Sequence, residues 1–237
     1  MSFQTQVQGL TQLTIATDPA PSAAELGQFL IDGVLNVTSK WLLGHPEDRE
    51  LFSRATSTLT SNGVDLNSAQ IISVIREASA DGDTDGSTAW EPCRRVSAAL
   101  RSRVVDPDSL HFASIYNPVY IVNNNGAINV YPVPDAGAGV LSDGYRVYYV
   151  NNDPKGDGIS DTLAAGHSSI GYFPNDKEYL VVLYAALKTL EAAAGNKTVA
   201  QDVELQTSYS NLANALKGEY MAAFQTQQPQ QGAQPRR

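Results

Sequence analysis

The stretch Val119-Tyr120-Ile121-Val122-Asn123-Asn124-Asn125-Gly126-Ala127-Ile128-Asn129-Val130-Tyr131-Pro132 decides the fold class. Two β-prone runs flank an Asn-Gly step, which supplies the positive φ angles a tight turn needs, and the alternation on either side fixes a register. An antiparallel hairpin is expected here. Upstream, Ile71-Ile72-Ser73-Val74-Ile75-Arg76 is a second β-rich run. The Gly/Asp-rich segment from Asp81 to Gly86 separates it from Trp90-Glu91-Pro92-Cys93-Arg94-Arg95-Val96, which predicts a second hairpin with a long turn. Val96 to Arg103 reads as a short helical turn, and Tyr145 to Val150 as a strand that extends the sheet of the central hairpin. Strands therefore fill residues 70–150.

Helices flank this β-part. Ser22 with Glu25 three residues on forms a capping box, and Leu26, Phe29, Leu30, Val34, Val37 and Trp41 recur at helical spacing until Gly44-His45-Pro46. Residues 51–66, rich in Ser, Thr and Asn, carry no expected regular structure. Further on, Asn175 reads as an N-cap with Glu178 reaching back to it. The helix that follows, Tyr179 to Leu190, is apolar almost all round and so is expected to be buried in the subunit or at an interface, with Gly195 as its C-terminal cap. A polar helix from about Thr198 to Phe224 returns beside it, with Val203, Leu212, Leu216 and Tyr220 as a sparse apolar face. The expected class is α+β: an N-terminal amphipathic helix, a central antiparallel β-part and a C-terminal αα-hairpin.

The ends differ from this core. Residues 1–21 read as an extended, flexible docking arm carrying Phe3, Val7, Leu10, Leu13 and Ile15, closed by Asp18-Pro19-Ala20-Pro21. Residues 22–224 are expected to form a single domain, helical over 22–66 and 174–224. The Gln/Pro-rich residues 225–237 read as a disordered tail.

With 25 acidic and 16 basic residues the net charge is −9, which argues against tight non-specific binding to nucleic acid. The single cysteine, Cys93, has no partner within the chain and suits a reducing compartment. No secretory leader or membrane span is expected from the apolar runs.

A search for chemistry returns little. His45, His111 and His167 stand in different segments, without metal-ligand spacing. Gly166-His167-Ser168-Ser169-Ile170-Gly171 fails as a nucleophile elbow, because Ile170 occupies a required glycine position. Asp81, Asp83 and Asp85 match the first half of a calcium loop, but Pro92 stands at its twelfth position, so a solvated turn is expected and the three aspartates stay weak metal candidates. Asn151 to Gly158 reads as an ordinary turn. Arg94, Arg95, Arg101 and Arg103 concentrate positive charge in an acidic chain. They suit a solvated face, a contact to carboxylates of a neighbouring subunit, or, least well, DNA. No catalysis and no cofactor is expected.

Ile71 to Glu77, Pro92-Cys93-Arg94, Asp108 to His111, Tyr116 to Tyr120, the Tyr131-Pro132 strand end and Tyr172 to Ala186 together resemble virion structural proteins of marine and cyanobacterial tailed bacteriophages, across about residues 70–195. The layout is similar to that of phage head-to-tail adaptors. That resemblance implies a virion neck protein assembled in the host cytoplasm, a homo-oligomeric ring, typically a dodecamer. Its implied partners are the portal protein, a downstream neck or tail protein, and double-stranded DNA in transit. Phe3, Val7, Leu10, Leu13, Ile15 and the four arginines are then expected at subunit or portal contacts. The alternative is a baseplate or fibre-attachment component binding carbohydrate or a cation, suggested by Tyr116, Tyr120, Tyr131, Tyr145, Tyr148 and Tyr149 and by the Asp81–Asp85 loop.

Overall fold

The computed structural model describes residues 1–15, 21–67, 69–78, 89–123, 126–134, 144–199 and 202–225. The Asp81–Asp85 loop, the Asp18-Pro19 linker and residues 226–237 of the expected tail lie outside the described residues. The protein is α+β, and it divides into two compact units, Met1–Phe52 with Asp153–Arg237, and Ser53–Asn152.

The first unit is helical. In α2 (Ala23–Gly44) the expected capping box is present: Ser22 Oγ accepts from the Glu25 backbone N–H, and the Glu25 carboxylate accepts from the Ser22 N–H at 2.7 Å. These bonds hold the Glu25 carboxyl below its usual range. Leu26, Leu30, Val34, Val37 and Trp41 form the buried stripe, and Pro46 cannot continue the helix. Helix α4 (Glu178–Val199) packs against α1 (Phe3–Thr11), α2 and α5 (Val203–Gln225). Three neighbours explain why α4 is apolar on every side: Leu180, Val181, Val182, Leu183 and Leu190 are all buried. Gly33 sets the approach of α2, since a Cβ there would lie 3.1 Å from both Tyr184 and Val181 side-chain atoms.

Three expectations about this unit are corrected. The arm is helical and not extended: Ser2 caps α1, Phe3 and Val7 are fully buried, and the Phe3 and Gln4 N–H groups donate to the His167 and Ala165 carbonyls. Phe3, Val7 and Thr11 follow the four-residue spacing of a helix face, which outweighs the short alternation at Leu13 and Ile15. Ile15 is buried as well, so Phe3, Val7 and Ile15 serve the unit's own packing and present no docking face, while Leu10 and Leu13 are half-buried. Asn175 lies in a 3-10 turn and does not cap α4. The Glu178 carboxylate accepts instead from the Ile170 N–H at 2.7 Å, and burial raises its pKa. Gly195 does not stop α4, which runs on to Val199. α5 returns with Ala213, Leu216 and Tyr220 buried, and the Tyr220 hydroxyl donates to Asn36 Oδ1 of α2.

The second unit contains two sheets. One is antiparallel in the order β1 (Ser53–Ala55), β7 (Tyr145–Val150), β2 (Ile71–Glu77), β3 (Trp90–Pro92). The other runs β4 (Arg94–Arg95), β5 (Val119–Val122), β6 (Ile128–Tyr131), with β4 parallel to β5 and β5 antiparallel to β6. The expected central hairpin forms, with Val119 opposite Tyr131, Val122 opposite Ile128, and Gly126 at φ +83° in its turn. Contrary to expectation, β7 joins β2 and β1 and not the hairpin. The outer edge of β6 is occupied by the segment expected to be irregular: Val64 bridges to Ile128, and the Asn62 side chain donates to the Val130 carbonyl and accepts from its N–H. The same segment supplies β1, which moves the unit boundary to Phe52/Ser53.

Cys93 is where one strand changes sheets. Its N–H donates to Val74 of β2, whereas the next, that of Arg94, donates to the Pro118 carbonyl beside β5. The sheets share a core of Val74, Tyr145, Val147 and Tyr149 from one and Tyr120, Ile128 and Val130 from the other.

Candidate functional site

The connection between β4 and β5, residues 96–118, is anchored from within and exposes both apolar and charged side chains without. Val96, Val104 and Ala113 are buried against Val119, Ile121 and Tyr131, forming a small second core. Ser97 caps a 3-10 turn, Ala98–Leu100, that leads into α3 (Arg101–Val104). Beyond it the backbone is tied down locally: Ala113 N–H donates to the Val104 carbonyl, Asp108 N–H to Asp106 Oδ1, and His111 N–H to Ser109 Oγ. Short Asp and Ser side chains bonding to nearby backbone hold such turns without a helix or sheet.

What this scaffold presents to solvent is unusual. Leu110 is fully exposed, Tyr116 is 68% exposed, and Val105 and Phe112 are also exposed. Arg94, Arg95, Arg101 and Arg103 are exposed too, and none of the four makes an ion pair among the described residues. Arg95 lines an open groove of about 520 Å³ with Val96, Ser97, Ala98 and Val122. Beside Arg95 in the β4–β5 ladder, burial raises the pKa of the Tyr120 hydroxyl, and the positive charge of Arg95 opposes this. Arginines with aromatic and aliphatic side chains are the composition of protein–protein contacts.

The sequence had singled out the arginines as contact residues, and Tyr116 only as a candidate sugar-binding aromatic, but not Val105, Leu110 and Phe112. A signal was available: Leu110 follows Asp106-Pro107-Asp108-Ser109, a turn-forming run, and an apolar residue at the tip of a turn has little core to reach.

The other flagged residues behave structurally. Trp41 stacks on His45 at 4.7 Å, and His167 Nδ1 accepts from the Ala164 N–H. In the Gly166–Gly171 loop the Asp157 carboxylate accepts from the N–H groups of Ser168 and Ser169, which lowers its pKa and fixes the loop ahead of α4. Cys93 is half-buried against the core between the sheets, and desolvation pushes its thiol up to about 12, with the Arg76 charge working the other way. Tyr120, Tyr131, Tyr145 and Tyr149 are buried in sheet packing. Among the described residues no three His, Cys, Asp or Glu side chains are placed to hold a metal ion, and no helix is long and apolar enough to cross a membrane.

No protein-family model and no curated protein matches the chain.

Proposed function

We propose that this chain is a non-catalytic structural subunit of a tailed-phage virion, forming a ring in the neck that joins the portal to the tail and lets the genome pass. The observation that carries an assembly role is the 94–116 segment, which exposes a fully solvent-accessible leucine and four arginines that make no ion pair among the described residues, on a scaffold that is already ordered. Burying a leucine side chain contributes roughly 1.5–3 kcal/mol, and little is lost to ordering when the backbone is held in advance. The resemblance to head-to-tail adaptors supplies the neck and the portal. The acidic surplus supports the same reading, because a ring with an acidic channel repels phosphates and lets DNA slide.

Carbohydrate attachment through strand tyrosines is disfavoured, since four of the six are buried. Negative-stain imaging of the purified chain, alone and mixed with portal rings, tests the reading. Rings of about a dozen copies seated on the portal are expected. A chain that remains monomeric and leaves the portal bare overturns it.

A further inference from the structure

We propose that the 94–116 surface of one copy docks on the segment Leu43–Leu51 of a second copy, a head-to-tail contact that rests on the assembly role above and names its partner. The two surfaces are complementary in charge and alike in apolar character. On the first, Arg94, Arg95, Arg101 and Arg103 outnumber Asp106 and Asp108, and Leu110 and Tyr116 are exposed. On the second, Glu47, Asp48 and Glu50 outnumber Arg49, and Leu43 and Leu51 are 85% and 61% exposed.

The acidic segment is also built in advance. Phe52 at its end is buried edge-on against Phe173 at 5.4 Å, and Asp48 accepts from the Trp41 indole N–H at 2.8 Å. Glu47 is exposed and meets only His45, at 3.5 Å, among the described residues. A carboxylate held this loosely can turn to an incoming guanidinium. Because the two surfaces differ, the contact is heterologous: each copy offers both halves, and repetition gives a closed ring or an open chain of subunits. Without its four arginines the chain carries −13, from −9 and −4, so a second copy is itself an acidic partner.

Light scattering on the purified full chain, across ionic strengths of about 0.05 to 0.5 M, tests the contact without any phage component. The wild type is expected to self-associate, more weakly at high salt. Arg101→Glu with Arg103→Glu, and separately Leu110→Asp, should weaken association roughly tenfold or more while circular dichroism stays unchanged. Adding Glu47→Arg and Glu50→Arg to the arginine reversal should restore association, and each reversed pair alone should fail. Leu43→Ala, at a strongly exposed position, should likewise weaken association and checks the acidic side.

A monomeric wild type, reversals without effect, or a charge swap that restores nothing overturns the contact. So does unchanged association with lost binding to duplex DNA, which assigns the arginines to nucleic acid. The neck assignment fails separately, if the swap behaves as expected but the assembled chain ignores portal rings.

Discussion

Cys93 shows how one residue's place in the fold sets its chemistry. It sits where a strand passes from one sheet to the other, and burial pushes its thiol from an ordinary 9.0 up to about 12. A folded-state pKa above the unfolded one stabilises the fold fully below the unfolded value, and that stabilisation is lost as pH rises through the folded value. Stability of the Ser53–Asn152 unit should therefore fall between about pH 9 and 12, with Tyr145, raised from 10.0 to about 12, adding to the loss. Urea unfolding of the wild type and Cys93→Ala at about pH 8 and pH 10 checks this: the variant should show a shallower decline. An equal decline in both would show that the thiol is not the titrating group. The sequence marked Cys93 as a lone thiol. That it turns the corner between two sheets follows from its N–H pairing with Val74 while its neighbour pairs with Pro118, which no local pattern encodes.

At the scale of elements, α2 and the central hairpin were legible, because their signals are local. A capping box acts within three residues, and an Asn-Gly turn fixes its own flanks. Helix α1 was legible only in part. Its apolar residues were seen, but their burial depends on α4, which arrives more than 160 residues later in the chain. This reverses the expected consequence of altering it. Phe3→Ala should lower the stability of the free, unassembled chain by about 3–5 kcal/mol, the cost of truncating a fully buried phenylalanine. Thermal denaturation of the chain alone measures it. Unchanged stability with impaired assembly would restore α1 to the role of a docking arm. The extension of α4 past Gly195 has a similar origin: glycine is permitted, not required, to leave a helix, and here α4 keeps α5 against its side.

At the scale of the whole molecule, the Ser53–Asn152 unit begins and ends on paired neighbours, Ser53 opposite Val150 in the β1–β7 ladder. Ser53 and Val150, the latter two residues before the unit's end, are thus about 5 Å apart, which is how an insertion sits in a host chain. Residues 53–152 expressed alone are expected to give a β-type circular dichroism spectrum and a single cooperative unfolding transition. A disordered spectrum would show that the unit depends on the rest of the chain. The alternation of composition along the sequence, helical then β-rich then helical, by itself determined the α+β class, the existence of the long helices and most strands, and the concentration of arginines after residue 93. These rest on period, caps and turns, which act over a few residues. Only the tertiary structure decided which strands share a sheet, that residues 53–66 close the edge of β6, and that Leu110 and Tyr116 stand outside while Phe3 and Val7 stand inside. Pairing and burial are settled by competition among segments far apart in sequence, so an apolar residue alone does not reveal whether its partner lies in its own chain or in another.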